Sequence, residues 1–408
     1  MKVDRDHSTM FRRFRWIQPL VLTLLAGSTE LNAFQVETNF PGASIQVFGI
    51  DAKRQALTFS PTQHPGKGWA CWWHFRLTGV QTNRPIALTL IRTSAFGRPT
   101  RAMFSHDGVN WHHTEPGVRI GANQIYRHQP THDTIHFAWG PPFQLQQARA
   151  LVQRVLDRDP SARASELCRS REGRPVPALR WEPANPAAAP RRGLWVEARQ
   201  HAWESGSSWV CQGFLEWLIS DAPEARKLKQ HTRIVVVPIM DVDNVERGAG
   251  GKDQLPHDHN RDWSDRPHWP EVAAAQRGIL EMSQAGEFDL FLDLHNPGPG
   301  DKTPFFYGSP ETHLPPIRKA HQKRFHETTM KHLGAEPLGL SPIIRVSGPG
   351  YHPLWRHISK NWVAENTAER VVALTLETSW NTSNSTRQGY VSYGHALGRA
   401  VAEYLDHP

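Results

Sequence analysis

Two uninterrupted apolar runs constrain the fold of this chain more than any other feature. Residues 234–239 read Ile-Val-Val-Val-Pro-Ile, and residues 371–376 read Val-Val-Ala-Leu-Thr-Leu. Such continuous apolar character is typical of strands that are buried on both faces of a sheet. From Gly193 onward, runs of this kind alternate with helical patterns, which predicts an α/β domain over residues 193–408. The chain of 408 residues is long enough for a second domain before it.

The same periodicity places the elements of the α/β domain. Its strands are expected at residues 194–198, 233–240, 288–294, 304–307, 343–346 and 371–376. Its helices are expected at residues 209–220, 271–284 and 316–332.

The preceding part of the chain has a different pattern. Short runs of period-2 character, such as residues 72–77 and 134–139, are separated by turn signals such as Asp107-Gly108. Residues 34–143 are therefore predicted to form an antiparallel β-sandwich. A helix is expected over residues 144–167, and a stretch rich in Pro and Ala follows at residues 173–192. Together, residues 144–192 are interpreted as a connection between the two domains.

The N-terminus has the pattern of an export signal. Three arginines between residues 12 and 15 precede an apolar run at residues 17–26, and Ala33 offers a small residue before a cleavage point. The run is too short to span a bilayer, so no permanent membrane anchor is expected. We predict a signal peptide at residues 1–33 and a periplasmic or secreted protein. The protein would be cytoplasmic if the run is not a signal, and Met1 and Met10 both remain candidate starts.

Charge and cysteine content exclude two classes of protein. The net charge of +8 is spread along the chain without a dense basic run beyond the N-terminus, so nucleic-acid binding is not expected. Cys71, Cys168 and Cys211 make neither a disulfide framework nor a cysteine zinc site. A bridge between Cys71 and Cys168 stays open.

Polar residues with catalytic chemistry follow three of the predicted buried strands. His201 and Glu204 follow the strand at 194–198, His295 closes the strand at 288–294, and Glu377 closes the strand at 371–376. The ends of such strands are where α/β sheets build their sites. Two histidines and one carboxylate are the three ligands typical of a catalytic zinc, and Glu377 is then free to exchange a proton with water.

A second His-x-x-Glu, from His112 to Glu115, shows how little this spacing means alone. It lies in a predicted hairpin with no further ligand pattern, so we interpret it as surface polar residues.

Between the first two strand ends lies a Gly-rich loop, followed by a segment that contains Asn260 and Arg261. An arginine fork in that position is suited to a carboxylate.

Four motifs in this order carry a family resemblance. They are Gln200-His-Ala-Trp-Glu204, Asp258-His-Asn-Arg261, Asp293-Leu-His295 and Leu376-Glu377-Thr-Ser379. They resemble zinc carboxypeptidases of the carboxypeptidase A superfamily, and most closely the cytosolic-carboxypeptidase-like branch with its bacterial members. Segments at residues 72–80, 104–111 and 137–143 resemble the β-sandwich of that branch. The resemblance implies a β-sandwich followed by a carboxypeptidase-like domain with a mixed central sheet and helices on both faces.

The resemblance also implies roles for individual residues. His201, Glu204 and His295 would bind one Zn²⁺, and Glu377 would be the general acid/base. Asn260 and Arg261 would hold the terminal carboxylate of the substrate. Asp258 would orient His201, with Asp293 an alternative for that supporting role.

The chain departs from the family at two positions. Where the family has an oxyanion-stabilising Arg, Lys252 lies nearest, with Arg247 a second candidate. The substrate-capping Tyr of the family corresponds only roughly to Tyr351, with Trp355 nearby.

These features predict a zinc metallocarboxypeptidase that hydrolyses the C-terminal peptide or isopeptide bond of a peptide or protein. One alternative is a zinc-dependent deacylase or amidase acting on N-acyl amino acids or murein peptides. Another is a peptide- or glycan-binding protein with an inactive zinc site. The basic charge favours acidic C-terminal residues as a first expectation.

Overall fold

The computed structural model describes residues 33–183 and 192–406. All but the last residue of the predicted signal peptide therefore lies outside the described residues. Within the described ranges, none of the helices combines the length and the apolar character that a membrane span needs.

The first part of the chain forms two five-stranded sheets. Their strands are β1 (Gln35–Glu37), β2 (Gln46–Asp51), β3 (Ala56–Ser60), β4 (His74–Thr78), β5 (Ile86–Leu90), β6 (Met103–Ser105), β7 (His112–His113), β8 (Val118–Ile120), β9 (Asn123–His128) and β10 (Ile135–Ala138). One sheet has the order β1-β4-β10-β6-β7, and the other has the order β2-β3-β5-β9-β8. Side chains of both sheets belong to one apolar core, in which the Phe59 and Phe75 rings lie 5.1 Å apart.

The two sheets are antiparallel with one exception. β3 and β5 run parallel, because the chain passes through β4 of the other sheet before it returns. The prediction of an antiparallel pattern is therefore correct for these sheets except at that pair.

The predicted connection contains more structure than expected. Helix α1 (Leu145–Arg158) ends nine residues earlier than predicted, because Pro160 follows closely and cannot continue a helix. Strands β11 (Arg163–Arg169) and β12 (Pro175–Trp181) come next, and β12 pairs antiparallel with β14 (Thr232–Val237). Residues 163–181 thus form one side of the large sheet, with Val176, Ala178 and Trp181 buried.

An eight-stranded mixed sheet forms the centre of the remaining chain. Its other strands are β13 (Arg192–Ala198), β15 (Leu290–His295), β16 (Phe305–Gly308), β17 (Arg345–Val346) and β18 (Val372–Glu377). The strand order is β11-β12-β14-β13-β15-β18-β16-β17. The helices are α2 (Ser205–Leu218), α3 (Pro223–His231), α4 (Val242–Arg247), α5 (Pro270–Gln284), α6 (Pro316–Leu333), α7 (Ser359–Asn366) and α8 (Arg387–Asp406). All three cysteines are unpaired.

Three adjacent parallel strands bring the candidate site together. β13, β15 and β18 are neighbours, so their carboxyl ends lie at the same edge of the sheet. His295 and Glu377 are direct partners in the β15–β18 register. β13 ends at Ala198, and the loop that follows it carries His201 and Glu204.

Candidate active site

His201, Glu204 and His295 converge on one buried point. The Nδ1 atom of His201 lies 2.8 Å from one carboxylate oxygen of Glu204, and the Nδ1 atom of His295 lies 2.7 Å from the other. One potential ligand atom from each residue lies within 4.8 Å of the other two. Among the residues that the structure describes, these three form the one such group of potential metal ligands.

The loop between β13 and α2 is held in place by Arg199. Its backbone adopts a left-handed conformation (φ 68°), which is costly for a residue with a side chain. Its buried guanidinium donates to the carbonyl oxygens of Ala202 (2.8 Å) and Phe143 (3.0 Å). These contacts fix the turn that directs His201 and Glu204 towards the same point.

Each histidine has a carboxylate behind it. The Nε2 atom of His201 lies 3.4 Å from Asp258, and that of His295 lies 3.0 Å from Asp293. Asp293 is itself held by hydrogen bonds from Gln200 (2.7 Å) and the Ser359 hydroxyl (2.6 Å). The sequence offered Asp258 and Asp293 as alternatives for one supporting position, but the structure gives one histidine to each.

The electrostatics of this cluster suit a cation. Burial alone would raise the pKa of Glu204, but the adjacent imidazoles of His201 and His295 lower it to about 2. In both histidines Nε2 faces an outer carboxylate, and Nδ1 faces Glu204. The Nδ1 atoms are therefore the ring nitrogens that point to the shared position and can bind a metal there. This donor set fits a zinc ion bound by three residues, each histidine supported by an outer carboxylate.

Asn296 is a supporting residue that the sequence analysis missed. Its backbone N–H donates to Glu204 (3.1 Å), and its side-chain oxygen accepts from the N–H of Ser207 in α2 (3.1 Å). The residue therefore connects the end of β15 to the start of α2. Its only sequence signal is that it directly follows His295.

Glu377 lies beside the ligand cluster with an unused oxygen. The residue is 9% exposed, and Oε2 has no hydrogen-bond partner among the residues that the structure describes. Burial raises the pKa of Glu377 to about 8, with His295 opposing and Glu204 reinforcing the effect. A bound dication would lower that pKa, which would leave a group able to accept and return a proton near neutrality.

Asn260 and Arg261 both line the cavity, but they differ in how many of their side-chain polar atoms are already hydrogen-bonded. The Asn260 amide oxygen accepts from the N–H of Ser359 (2.9 Å), so this side chain is already anchored. Arg261 donates from Nη1 to the carbonyl oxygen of Asn260 (2.7 Å), while its buried Nε has no hydrogen-bond partner within residues 33–183 and 192–406. Arg261 therefore retains donors for a ligand, and both residues line the cavity.

A buried network beneath this segment holds it in register. His259 stacks on Trp269 at 4.9 Å and lies 3.7 Å from Asp241 and 3.5 Å from Glu271. Burial lowers the pKa of His259, but these carboxylates outweigh it and raise the value to about 9. The charged ring thus fixes the backbone that carries Asn260.

The two oxyanion candidates are separated by the structure. Lys252 lines the cavity, with Nζ 3.2 Å from Asp258. Arg247 does not line it, because its guanidinium at the end of α4 pairs with Glu172. The structure therefore does not bring Arg247 to the cavity, and a catalytic role for it stays a prediction that this placement does not favour.

Tyr351 lies at the mouth of the cavity, where its side chain is accessible. It is 47% exposed, its ring is 5.4 Å from Tyr307, and the Arg261 guanidinium lies 5.8 Å from its centroid. Trp355 is absent from the cavity wall and packs against His313 instead.

The wall also contains a lysine that the sequence did not single out. Lys360 in α7 is 1% exposed, and its Nζ donates to Ser347 (2.6 Å) and Asn361 (2.7 Å). Burial, reinforced by nearby Arg261, lowers the pKa of Lys360 well below its ordinary value. Within the described residues, no carboxylate lies within ion-pair distance of this amine.

The second His-x-x-Glu is located as expected from its hairpin context. His112 lies in β7 and is exposed, as is Glu115. Neither residue belongs to the cavity wall or to the ligand group.

Comparisons with known proteins agree with this geometry. Residues 149–279 match the zinc carboxypeptidase family. The chain is 24% identical over 296 residues to cytosolic carboxypeptidase 2 of Danio rerio, which covers 65% of this chain but 40% of that protein. It is 27% identical over 302 residues to an uncharacterised protein of Zymomonas mobilis, covering 71% of this chain and 74% of that one. The chain thus spans less than half of the cytosolic carboxypeptidase.

Solved structures show the same fold. A metallo-carboxypeptidase from Burkholderia cenocepacia superposes with a TM-score of 0.79 at 23% identity, covering 92% of this chain and 99% of that one. A metallo-carboxypeptidase from Pseudomonas aeruginosa, in complex with (2-guanidinoethylmercapto)succinic acid, gives 0.76 at 22% identity, covering 91% and 99%. The predicted carboxypeptidase-like fold is confirmed. Residues 149–279 are thus similar to the zinc carboxypeptidase family, the fold is that of the solved metallo-carboxypeptidases, and the His-Glu-His group has the donors that a zinc site needs.

Proposed function

We propose that this enzyme removes single residues from the free C-terminus of peptides or proteins, using one zinc ion held by His201, Glu204 and His295. The proposal is supported by one observation: the three candidate ligands, Glu377 and the free donors of Arg261 all line the same cavity. The matches give no support to the deacylase or inactive-binder alternatives.

Glu377 is the proton carrier in this proposal. The zinc supplies a Lewis acid that polarises the scissile carbonyl and lowers the pKa of water. Glu377 accepts a proton from the attacking water through its unpaired Oε2 and then donates it to the leaving amine.

Arg261 restricts the cleavage to the end of the chain. Its free guanidinium donors bind the terminal carboxylate, and the hydrogen bond from Nη1 to the carbonyl oxygen of the anchored Asn260 orients the guanidinium. A matched pair of peptides that end in a free carboxylate or an amide tests this role. We expect the amide to react at least roughly 10²-fold more slowly, because it leaves Arg261 unpaired. Equal rates for the two peptides would exclude a carboxypeptidase.

Lys252 rather than Arg247 stabilises the oxyanion. Lys252→Ala should lower kcat/KM by roughly 10²-fold or more while zinc content stays unchanged, because the donor to the developing charge is lost. Arg247→Ala should stay within about threefold of the wild type, because its partner Glu172 is outside the cavity. Steady-state kinetics and metal analysis of both variants check this prediction, and the reverse ranking would refute it.

Lys360 gives the site a preference for acidic C-terminal side chains. It is buried in the wall without a carboxylate partner, and the Thr375 hydroxyl in the same wall is also unpaired. An acidic side chain that enters this part of the cavity would pair with the amine and restore its charge.

The preference is tested by Lys360→Met, which keeps the length of the side chain and removes the charge. The ratio of kcat/KM for peptides that end in Glu and in Leu should fall on the order of 10²-fold. Lys323→Met is the matched control, since the Lys323 side chain is 78% exposed on α6. An unchanged ratio in Lys360→Met would show that the preference, if any, has another source.

A further inference from the structure

Two aromatic residues from the first part of the chain line the active-site cavity, and no role is yet assigned to them. Trp69 and Phe96, here called the aromatic shelf, are both half-buried. Their rings lie 4.5 Å apart at an angle of 57°. Large apolar rings that remain accessible in the wall of a cleft are suited to contact an apolar group of a ligand.

The shelf rests on a rigid base. The Phe96 ring contacts Trp203 edge-on at 5.9 Å, and Trp203 also packs against Trp139 and Trp380. These three tryptophans are at most 4% exposed. Trp203 lies between the ligands His201 and Glu204, so the base of the shelf is part of the metal-binding loop. The shelf is therefore fixed relative to the reacting bond.

One backbone and one side-chain hydrogen bond also attach Trp69 of the shelf to the Gly-rich loop. The N–H of Trp69 donates to the carbonyl oxygen of Lys252 (2.9 Å), and the indole N–H donates to Asp253 (2.8 Å). Gly68 permits the close approach, because a Cβ there would lie 2.4 Å from the Lys252 oxygen. The contact places the Trp69 ring centroid 6.0 Å from the amine of Lys252.

A chain of contacts leads from Arg261 through Lys252 to Trp69, in the order in which a bound peptide would present its terminal carboxylate, its scissile carbonyl and its preceding side chain. The N–H of Arg261 donates to the carbonyl oxygen of Asp258 (2.9 Å), the Asp258 side chain contacts Lys252, and Lys252 adjoins Trp69. Arg261 takes the terminal carboxylate and Lys252 takes the scissile carbonyl. The Trp69 ring lies one contact beyond Lys252, 6.0 Å from its amine, a distance that one extended residue of about 3.3–3.6 Å plus a side chain can span.

We propose that the aromatic shelf binds the side chain of the residue that precedes the scissile bond and selects large apolar or aromatic residues there. The inference rests on the proposed carboxypeptidase function. It assigns substrate selection to residues that lie outside the central sheet, from the segments before β4 and after β5.

Two blocked tripeptides that share a C-terminal residue and carry Phe or Gly before it provide the test. Wild-type kcat/KM should be roughly tenfold higher for the Phe peptide. Trp69→Ala and Phe96→Ala should each reduce that preference, and the double variant should abolish it. Trp69→Phe keeps a ring without the hydrogen bond to Asp253 and should retain most of the preference. Phe48→Ala, an exposed aromatic on β2, is the control.

The preference ratio separates the shelf from a structural effect on Lys252, which would slow both peptides equally. Calorimetric binding of the two peptides to Glu377→Gln protein gives a readout that does not need turnover. Tighter binding of the Phe peptide would support the proposed role of the shelf even if the wild type cleaved neither peptide. A failure to cleave either peptide would count against the proposed function and not against the shelf. Equal affinities, or a preference that survives in the double variant, would overturn the inference.

Discussion

Glu377→Gln should lower kcat about 10³-fold, or ~4 kcal/mol in activation free energy, with little change in KM. The amide keeps the size of the side chain, but it cannot accept a proton from the attacking water. Because Glu377 ends β18 and is not a metal ligand in this account, zinc content and the temperature of thermal unfolding should stay close to those of the wild type. Steady-state kinetics and metal analysis measure the two quantities separately.

Glu115→Gln is the matched control for this substitution. The Glu115 side chain is 90% exposed and lies outside the cavity, so its variant should keep full activity. A Glu377→Gln enzyme that retains more than about a tenth of wild-type kcat would mean that another group carries the proton.

His201→Ala should remove both zinc and activity. It deletes one of three ligands and leaves Glu204 with one imidazole instead of two. Loss of a ligand costs more than the 10- to 100-fold typical of an outer partner, so we expect activity to fall at least roughly 10³-fold. Metal analysis after dialysis should find far less than the one zinc per chain expected of the wild type.

His112→Ala tests the same spacing where no further ligand is present. His112 and Glu115 repeat the His-x-x-Glu pattern in exposed positions around β7. Removal of the His112 imidazole should change neither zinc content nor turnover. Loss of zinc from His112→Ala, or its retention in His201→Ala, would contradict the assignment of the metal site.

The candidate metal ligands and Glu377 were predictable because local sequence places them. Each of His201, Glu204, His295 and Glu377 follows or ends a strand whose apolar run is visible in the sequence, and parallel pairing brings those ends together. The bounds of β15 and β18 differ from the prediction by one or two residues only. Turn conformations such as that of Arg199 have no comparable signal.

The remaining wall residues were not predictable, because distant segments supply them. Lys360 lies in a short helix whose sequence looks like any surface helix, yet the fold buries it. Trp69 enters the site through hydrogen bonds to residues about 180 positions later, and sequence periodicity does not encode such pairings. Arg247 is the opposite case. Its position along the chain predicted that it would reach the site, but an ion pair with Glu172 holds its side chain outside the cavity. The strand β12 was missed because two prolines interrupt its pattern.

We propose that the site formed by His201, Glu204 and His295 removes residues from a free C-terminus. The most direct test of this proposal is a mass-spectrometric time course of one unblocked ten-residue peptide with the zinc-loaded wild-type enzyme, and Glu377→Gln as the blank. We predict successive losses of single residues from the C-terminal end, which chelation of the metal stops. Internal cleavage, loss of residues from the N-terminal end, or identical spectra with Glu377→Gln would contradict the proposed function.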